Sequence, residues 1–306
     1  MFRCVGGKRR IASRIVDRIL KEHEGRPLTS YCEPFVATGS VCLALLKTVG
    51  EATRRVWLND LDKGTFALWW CVLNEPDELL HLVDEFKPSR RAFFQFKNEL
   101  LGCVEFSLPE LAFRKLAVHQ LSFSGLGVMA GGTVKPVSSR WSPRQIRKNV
   151  NEARRLLAGR EVTITNMDYR AVLSRVDSDT SVFVDPPYVV AGSVLYQHAF
   201  TQKDHVELGS LLAAARFPWV LTYDDCTLVR RLYGDDTIVE VPMTYSVNGI
   251  SKKRELLITP KSNANIPAGI RFSEPFARRQ TIVAPPNSSR QSLEEMEQSN
   301  HLPRAE

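Results

Sequence analysis

Four consecutive residues, Asp185-Pro186-Pro187-Tyr188, follow the apolar run Ser181-Val182-Phe183-Val184. Such a run reads as a buried strand, so an acid, two prolines and an aromatic stand at a strand end. The prolines stiffen the backbone there, and in open α/β sheets ligands bind in the crevice outside the carboxyl ends of the strands. The chemistry this set suits is activation of an amino group attached to an aromatic ring. That nitrogen is a poor nucleophile because its lone pair is delocalised into the ring. Hydrogen bonds from its N–H groups to the Asp185 carboxylate and the Pro186 carbonyl would help it become tetrahedral, while Tyr188 stacks on the ring. A rigid turn that merely ends a strand accounts for the prolines but not for the flanking Asp and Tyr.

A second constellation is Glu33-Pro34-Phe35-Val36-Ala37-Thr38-Gly39-Ser40, after a short apolar segment and before the apolar stretch 41–46, with Asp60 closing the next strand. A strand, a small-residue turn, a helix and an acid some twenty positions on has the shape of a nucleoside-binding βαβ unit. The carboxylate accepts bonds from ribose hydroxyls, and the tight turn lets a ligand lie against backbone. With one glycine the turn is a poor phosphate loop, which suits a ligand without phosphate. An ordinary buried βα turn explains the same residues equally well in isolation. Gly6-Gly7-Lys8, read alone, is a solvated basic terminus.

The elements that must position these residues alternate. Strands are expected at 29–35, 55–59, 162–164, 181–184, 219–222, 237–241 and 255–259, the last two paired across a polar loop. Helices fit 41–50, 63–73, 143–157, 203–215 and 226–233, with Ser142 capping the third of these and Pro143 in its first turn. Pro76 is expected to interrupt the chain, and 88–120 reads as helical with a break at Pro109. Residues 124–141, rich in Gly and Ser, read as loop or hairpin. Alternation of strand and helix argues an α/β sheet with helices on its faces.

The chain has 306 residues, 43% of them hydrophobic, and a net charge of +7, enough for a sizeable core and weakly suggestive of a polyanionic partner. No run of eighteen apolar residues and no apolar segment after the basic start is present, so neither a membrane span nor a secretory signal is expected and the location is expected to be cytoplasmic. The six cysteines lack zinc-ligand spacing and the six histidines are dispersed, so no metal is expected. After Pro260 polar residues dominate, and 261–306 reads as a disordered tail.

Basic residues concentrate at Lys135, Arg140, Arg144, Arg147 and Lys148, with Arg154 and Arg155 beyond, opposed only by Glu152. Arg144, Arg147 and Lys148 share one face of the expected helix. A cationic helix beside a Gly/Ser loop suits contact with a nucleic-acid backbone, the alternative being a solvated charged face. Lys252, Lys253 and Arg254 form a second basic cluster.

The order of these pieces resembles the Dam-like group (D12 class, alpha group) of N6-adenine DNA methyltransferases, and its phage-type members in particular. The matching segments are Val5-Gly6-Gly7-Lys8, Glu33 to Ser40, Asn59-Asp60, Asn166-Met167-Asp168-Tyr169, Asp185 to Tyr188, Trp219 to Asp225 and Ser246 to Leu257, together spanning about residues 2 to 260. The resemblance implies a Rossmann-like, S-adenosylmethionine-dependent methyltransferase sheet carrying a small helical and loop DNA-recognition insert. Its implied domains are a discontinuous catalytic domain, 1–86 and 160–260, an insert, 87–159, and the tail. Asp185, Pro186, Pro187 and Tyr188 would be catalytic, acting on an adenine flipped out of duplex DNA. Cofactor contacts would come from Lys8, Glu33, Pro34, Phe35, Gly39, Asp60, Asp168 and Asp185. Of these, Lys8 would touch the cofactor or close its site, 33–39 would cradle the methionine end and Asp168 would bond the adenine amino group. The two basic clusters would bind the DNA. Two departures, Cys4 where the family usually has an aromatic and Ala37-Thr38 where a second glycine is common, predict weaker cofactor binding. The same catalytic motif also suits cytosine N4 or a protein glutamine as acceptor, and a DNA-binding protein with a decayed site is the reading from another class. The pattern specifies no oligomeric state.

Overall fold

Seven strands lie side by side in the order β3-β2-β1-β4-β5-β7-β6. They are β1 (Ser30–Glu33), β2 (Arg55–Asn59), β3 (Glu161–Thr165), β4 (Thr180–Val184), β5 (Trp219–Asp224), β6 (Thr237–Tyr245) and β7 (Ser251–Thr259). The first five run parallel, and β7 is antiparallel to both β5 and β6. The computed structural model describes residues 7–23, 26–102, 104–122, 130, 136–190, 199–245 and 251–261, all within one compact unit. The expected tail lies outside the described residues from 262 onward.

Period-two alternation divides the core. Tyr31, Phe183, Val220 and Leu257 face one buried cluster, while Cys32, Val182, Val184, Leu221 and Leu256 face the other. Buried on both faces, β1 and β4 read as continuous buried runs, as parallel strands covered by helices must. The first face is covered by α1 (Ala12–Glu22), α2 (Ser40–Val49), α3 (Lys63–Asn74), α4 (Pro76–Glu85), α5 (Arg90–Leu101), α6 (Leu108–Leu121) and α7 (Pro143–Leu157); the second by α8 (Tyr169–Leu173), α9 (Gln202–Ala213) and α10 (Thr227–Leu232). Phe93, Leu116 and Val150, from the stretch 87–159, belong to the same buried cluster as Ile15 and Leu45.

The expected alternation stands, with local differences. Pro76 interrupts the chain as expected, α3 ending at Asn74, and itself opens α4, because the first helical turn has no use for its missing N–H. The break near Pro109 falls earlier, at 102–107, and Pro109 sits inside the first turn of α6 behind a Ser107/Glu110 capping box. α7 runs as expected from Pro143 to Leu157, capped by the Ser142 hydroxyl, which accepts from the Gln145 N–H. Helix α1 was not anticipated. Its Ile15, Val16 and Ile19 are buried on one side, while Arg14 and Lys21 are exposed on the other. The expected hairpin region is described only at Ala130, which bridges Ser122, and from 136 onward.

Candidate active site

At the centre of the sheet β1 and β4 are direct neighbours, and the chain leaves them in opposite directions, β1 toward β2 and β4 toward β5. A crevice opens beyond the carboxyl ends at such a reversal of strand order. It receives Glu33 and the 34–39 turn from β1 and Asp185 to Tyr188 from β4. The two motifs, which begin 152 positions apart at Glu33 and Asp185, therefore meet.

On the β1 side, one buried asparagine ties three loops together. Asn59 Nδ2 donates to the carbonyls of Pro34 and Met167, each at 2.9 Å, and its Oδ1 accepts from the Met167 N–H and the Thr165 hydroxyl at 2.9 and 2.7 Å. Asn166 Nδ2 donates to the carbonyls of Asp60 and Leu61, each at 2.8 Å. Asp60 accepts the N–H groups of Ala37 (2.9 Å) and Asp62 (3.0 Å), and burial lifts its pKa to about 6. Ala37 has φ of 40° and Gly39 of 57°. At Gly39 a Cβ would stand 2.2 Å from the Trp69 ring, so a packed indole accounts for this glycine. Glu33 is buried, accepts the Tyr31 phenol at 2.7 Å, and is pushed up to about 8 by desolvation. Phe35, Tyr169 and Phe200 form an aromatic group with ring centroids 5.2 to 5.8 Å apart. Beside it Asp168 caps α8 and pairs with Arg170, which also grips Asp204 and Glu207 on α9.

On the β4 side, Lys8 Nζ stands 2.8 Å from Asp185 Oδ1, 4.0 Å from Glu255 Oε1 on β7, and 4.7 Å from the centre of the Tyr188 ring. Thr222 on β5 donates to the same Asp185 Oδ1 at 2.8 Å. Oδ2 takes neither of these contacts. Burial raises the Asp185 pKa and Lys8 opposes the rise. Asp224, ending β5, accepts the N–H groups of Val189 and Val190 at 3.1 and 2.8 Å, holding the backbone just past Tyr188. The Tyr188 ring lies 6.0 Å from that of Tyr223, whose hydroxyl meets the His205 ring.

Lys8 thus sits on the Asp185 carboxylate; the sequence reading had it touch the cofactor or close its site, and did not name this partner. Thr222, Glu255 and Asp224 were missed as site residues; all three lay inside segments already singled out, but only the strand order brings them beside Asp185. Of the basic residues, Arg144 and Lys148 are exposed on α7, Arg147 is held by Asp84, and Arg140 donates to the Ser122 carbonyl at 3.2 Å. Arg254 is exposed and paired with Glu240 at 2.7 Å. Lys252 and Lys253 lie on β7, but their side chains, like Cys4 and Lys135, fall outside the described residues. Among the described residues, no three or more His, Cys, Asp or Glu side chains gather as a metal site, and no helix is long and apolar enough to cross a membrane.

Residues 5–247 match the family of D12 class N6 adenine-specific DNA methyltransferases. The chain belongs to that family. It is similar to the type II methyltransferase M.MjaIII of Methanocaldococcus jannaschii, with 26% identity over 219 residues, 66% of this chain and 73% of the relative. Among solved structures it is similar to the rRNA methyltransferase AviRa of Streptomyces viridochromogenes (14% identity, TM-score 0.37, 82% of this chain and 84% of that one). It is also similar to a SAM-dependent O-methyltransferase of Thermotoga maritima (9%, TM-score 0.30, 83% and 65%).

Membership makes this D12 class protein a DNA adenine methyltransferase with S-adenosylmethionine as methyl donor. The crevice fits that donor, a cationic nucleoside without phosphate. Glu33, Asp60 and Asp168 offer carboxylates whose oxygens keep lone pairs beyond the bonds they accept, and Phe35, Tyr169 and Phe200 offer ring surface. The nearby cations Lys8 and Arg170 are both engaged by carboxylates, so neither opposes a positive ligand.

Proposed function

We propose that the protein is a site-specific enzyme that methylates N6 of adenine in duplex DNA, on a base rotated out of the helix. The observation that carries this reading is Asp185 beside the β1 turn, with Oδ1 occupied by Lys8 and Thr222 and Oδ2 left for a substrate. An amino group inside a duplex is out of reach of such a recessed carboxylate, which is why the base must leave the stack.

The 33–39 turn holds the methionine end of the donor, Asp60 the ribose hydroxyls and Asp168 the adenine amino group. When bound, S-adenosylmethionine supplies a methyl group on a positively charged sulfur. Asp185 Oδ2 accepts one N–H of the target amino group, the Pro186 carbonyl accepts the other, and Tyr188 covers the base. These bonds localise the nitrogen lone pair toward the donor, so the catalysis is positioning and electrostatics. The nitrogen sheds one proton as it gains the methyl, and Asp185, its pKa raised by burial, is the base within reach. The stretch 87–159 serves as the recognition insert, with Arg140, Arg144, Arg147 and Lys148 toward the DNA backbone, and a cytoplasmic location places the enzyme with its substrate.

Mass spectrometry of nucleosides from unmethylated plasmid incubated with the protein and S-adenosylmethionine tests the reading. N6-methyladenine is the expected product. N4-methylcytosine in its place, or methylated protein glutamine with unmodified DNA, would replace the proposal. No product together with no S-adenosylmethionine binding by calorimetry would mark a DNA-binding protein with a decayed site.

A further inference from the structure

Lys8 is a buried lysine, 3% exposed, and it faces two carboxylates, the half-buried Asp185 and the buried Glu255. An ammonium taken out of water needs a partner, and Asp185 alone would satisfy that need. Glu255 is the second acid, 2% exposed on β7, in register with Asp224 on β5 and Val241 on β6. Its side chain is therefore anchored on the middle strand of three and held beside Lys8 at 4.0 Å.

We propose that Glu255 is a positioning residue for methyl transfer: it shares the Lys8 ammonium with Asp185, so that Lys8 neutralises Asp185 less completely than a closed pair would and leaves more negative charge toward the target amino group. This rests on the reading of Asp185 as the acceptor of that amino group. With Glu255 neutral, Lys8 and Asp185 would form a closed pair of zero net charge. Asp185 Oδ2 would then be a weaker acceptor, and positive charge growing on the nitrogen would find less to stabilise it.

The groups acting on Asp185 come from four elements: Lys8 from the turn before α1, Thr222 from β5, Glu255 from β7 and Glu33 from β1, with the Tyr188 ring over Lys8. Glu255 raises the Asp185 pKa and Lys8 lowers it. The sign of the pH effect follows. Asp185 must be ionised to accept the amino N–H, so activity falls on the acid side as it protonates. Removing the Glu255 charge eases ionisation and moves that acid limb to lower pH, while the plateau drops.

The test uses the full-length protein, unmethylated plasmid and tritiated S-adenosylmethionine, with the wild type measured first. A wild type that leaves adenine unmodified sinks the proposed function itself; the variants bear only on Glu255. Glu255→Gln is expected to lower kcat about tenfold or more and to move the acid limb down by about one pH unit. Its affinity for S-adenosylmethionine by calorimetry is expected to stay within a factor of about three, since Glu255 faces Lys8 and not the β1 turn. Glu255→Asp, which keeps the charge, should leave the limb near its wild-type position. In a Lys8→Met background Glu255→Gln should cause no further loss. A plateau within twofold of wild type, a limb that stays put while thermal stability falls, or independent losses in the double variant would each overturn the assignment. Should Glu255→Gln not fold, the Glu255→Asp limb decides, and a downward shift there overturns it.

Discussion

Asp224 accepts hydrogen bonds from two successive peptide N–H groups directly after Tyr188, so it sets the path of the Asp185–Tyr188 loop beyond β4. Hydrogen bonds to a charged acceptor contribute about 1.5–3 kcal/mol each, and misplacement of a reacting group by about 1 Å costs on the order of 100-fold in rate. Asp224→Ala is therefore expected to lower kcat by roughly 10- to 100-fold while S-adenosylmethionine binding, proposed for the β1 side, stays near wild type. Steady-state kinetics beside calorimetry separate the two, and a normal kcat would show that the loop holds its shape without Asp224. At this scale Asp185 and Tyr188 were legible because their types announce chemistry next to each other in the chain. Thr222, Asp224 and Glu255 lie 37 to 70 positions further on, and no local pattern links them to Asp185. Lys8 was legible as a cation but not as the partner of Asp185, since that pairing depends on the terminal turn folding across strand ends.

Elements were read well wherever local physics decides them. β4, buried on both faces, read as an apolar run, and α7 showed its cap, its Pro143 and its period. The misreadings came from the break placed at Pro109, which sits in the first turn of α6, and from α1, whose apolar positions sit among many charges. The turn between β1 and α2 was legible as a tight turn, but the reason for its glycine was not. Gly39 has positive φ and faces the buried Trp69 ring, whose indole N–H donates to the Ala37 carbonyl at 3.1 Å. Gly39→Ala adds left-handed strain of roughly 1–2 kcal/mol and an overpacking cost of about 1–3 kcal/mol. The expected loss in urea unfolding is thus about 2–5 kcal/mol, with a loss under about 1 kcal/mol indicating that the turn yields freely. On α7, Arg147 is held by Asp84 whereas Arg144 and Lys148 face solvent. If these two meet phosphate, the double Ala variant should reduce the slope of log K against log salt by about 0.9 per lost contact. An unchanged slope would assign α7 to a merely solvated face.

Across the whole molecule, the crevice concentrates carboxylates that burial disfavours as anions. Glu33 is raised from 4.5 to about 8, Asp60 from 3.8 to about 6, and Asp185 is raised as well. A carboxylate whose folded pKa lies above its unfolded one adds stability below the unfolded value, and that contribution is lost as pH rises through the folded value. Between pH 4.5 and about 8 the folded chain keeps the Glu33 proton that the unfolded chain has released, so Glu33 makes stability fall with pH by up to about 1.4 kcal/mol per unit. Asp62, lowered by Lys115 to about 2, has the opposite sign but completes its change well below this window. A cationic ligand on the β1 turn reverses the penalty by favouring ionised Glu33, so wild-type affinity for S-adenosylmethionine should tighten from pH 6 toward 8 with release of a proton. Glu33→Gln removes both effects: its ligand-free unfolding curve flattens over that range, and its affinity loses the same pH dependence. The ligand's own titration is common to both proteins and cancels in their difference. Calorimetry in buffers of different ionisation enthalpy counts the proton directly, and equal proton release by wild type and Glu33→Gln would remove Glu33 from the donor site.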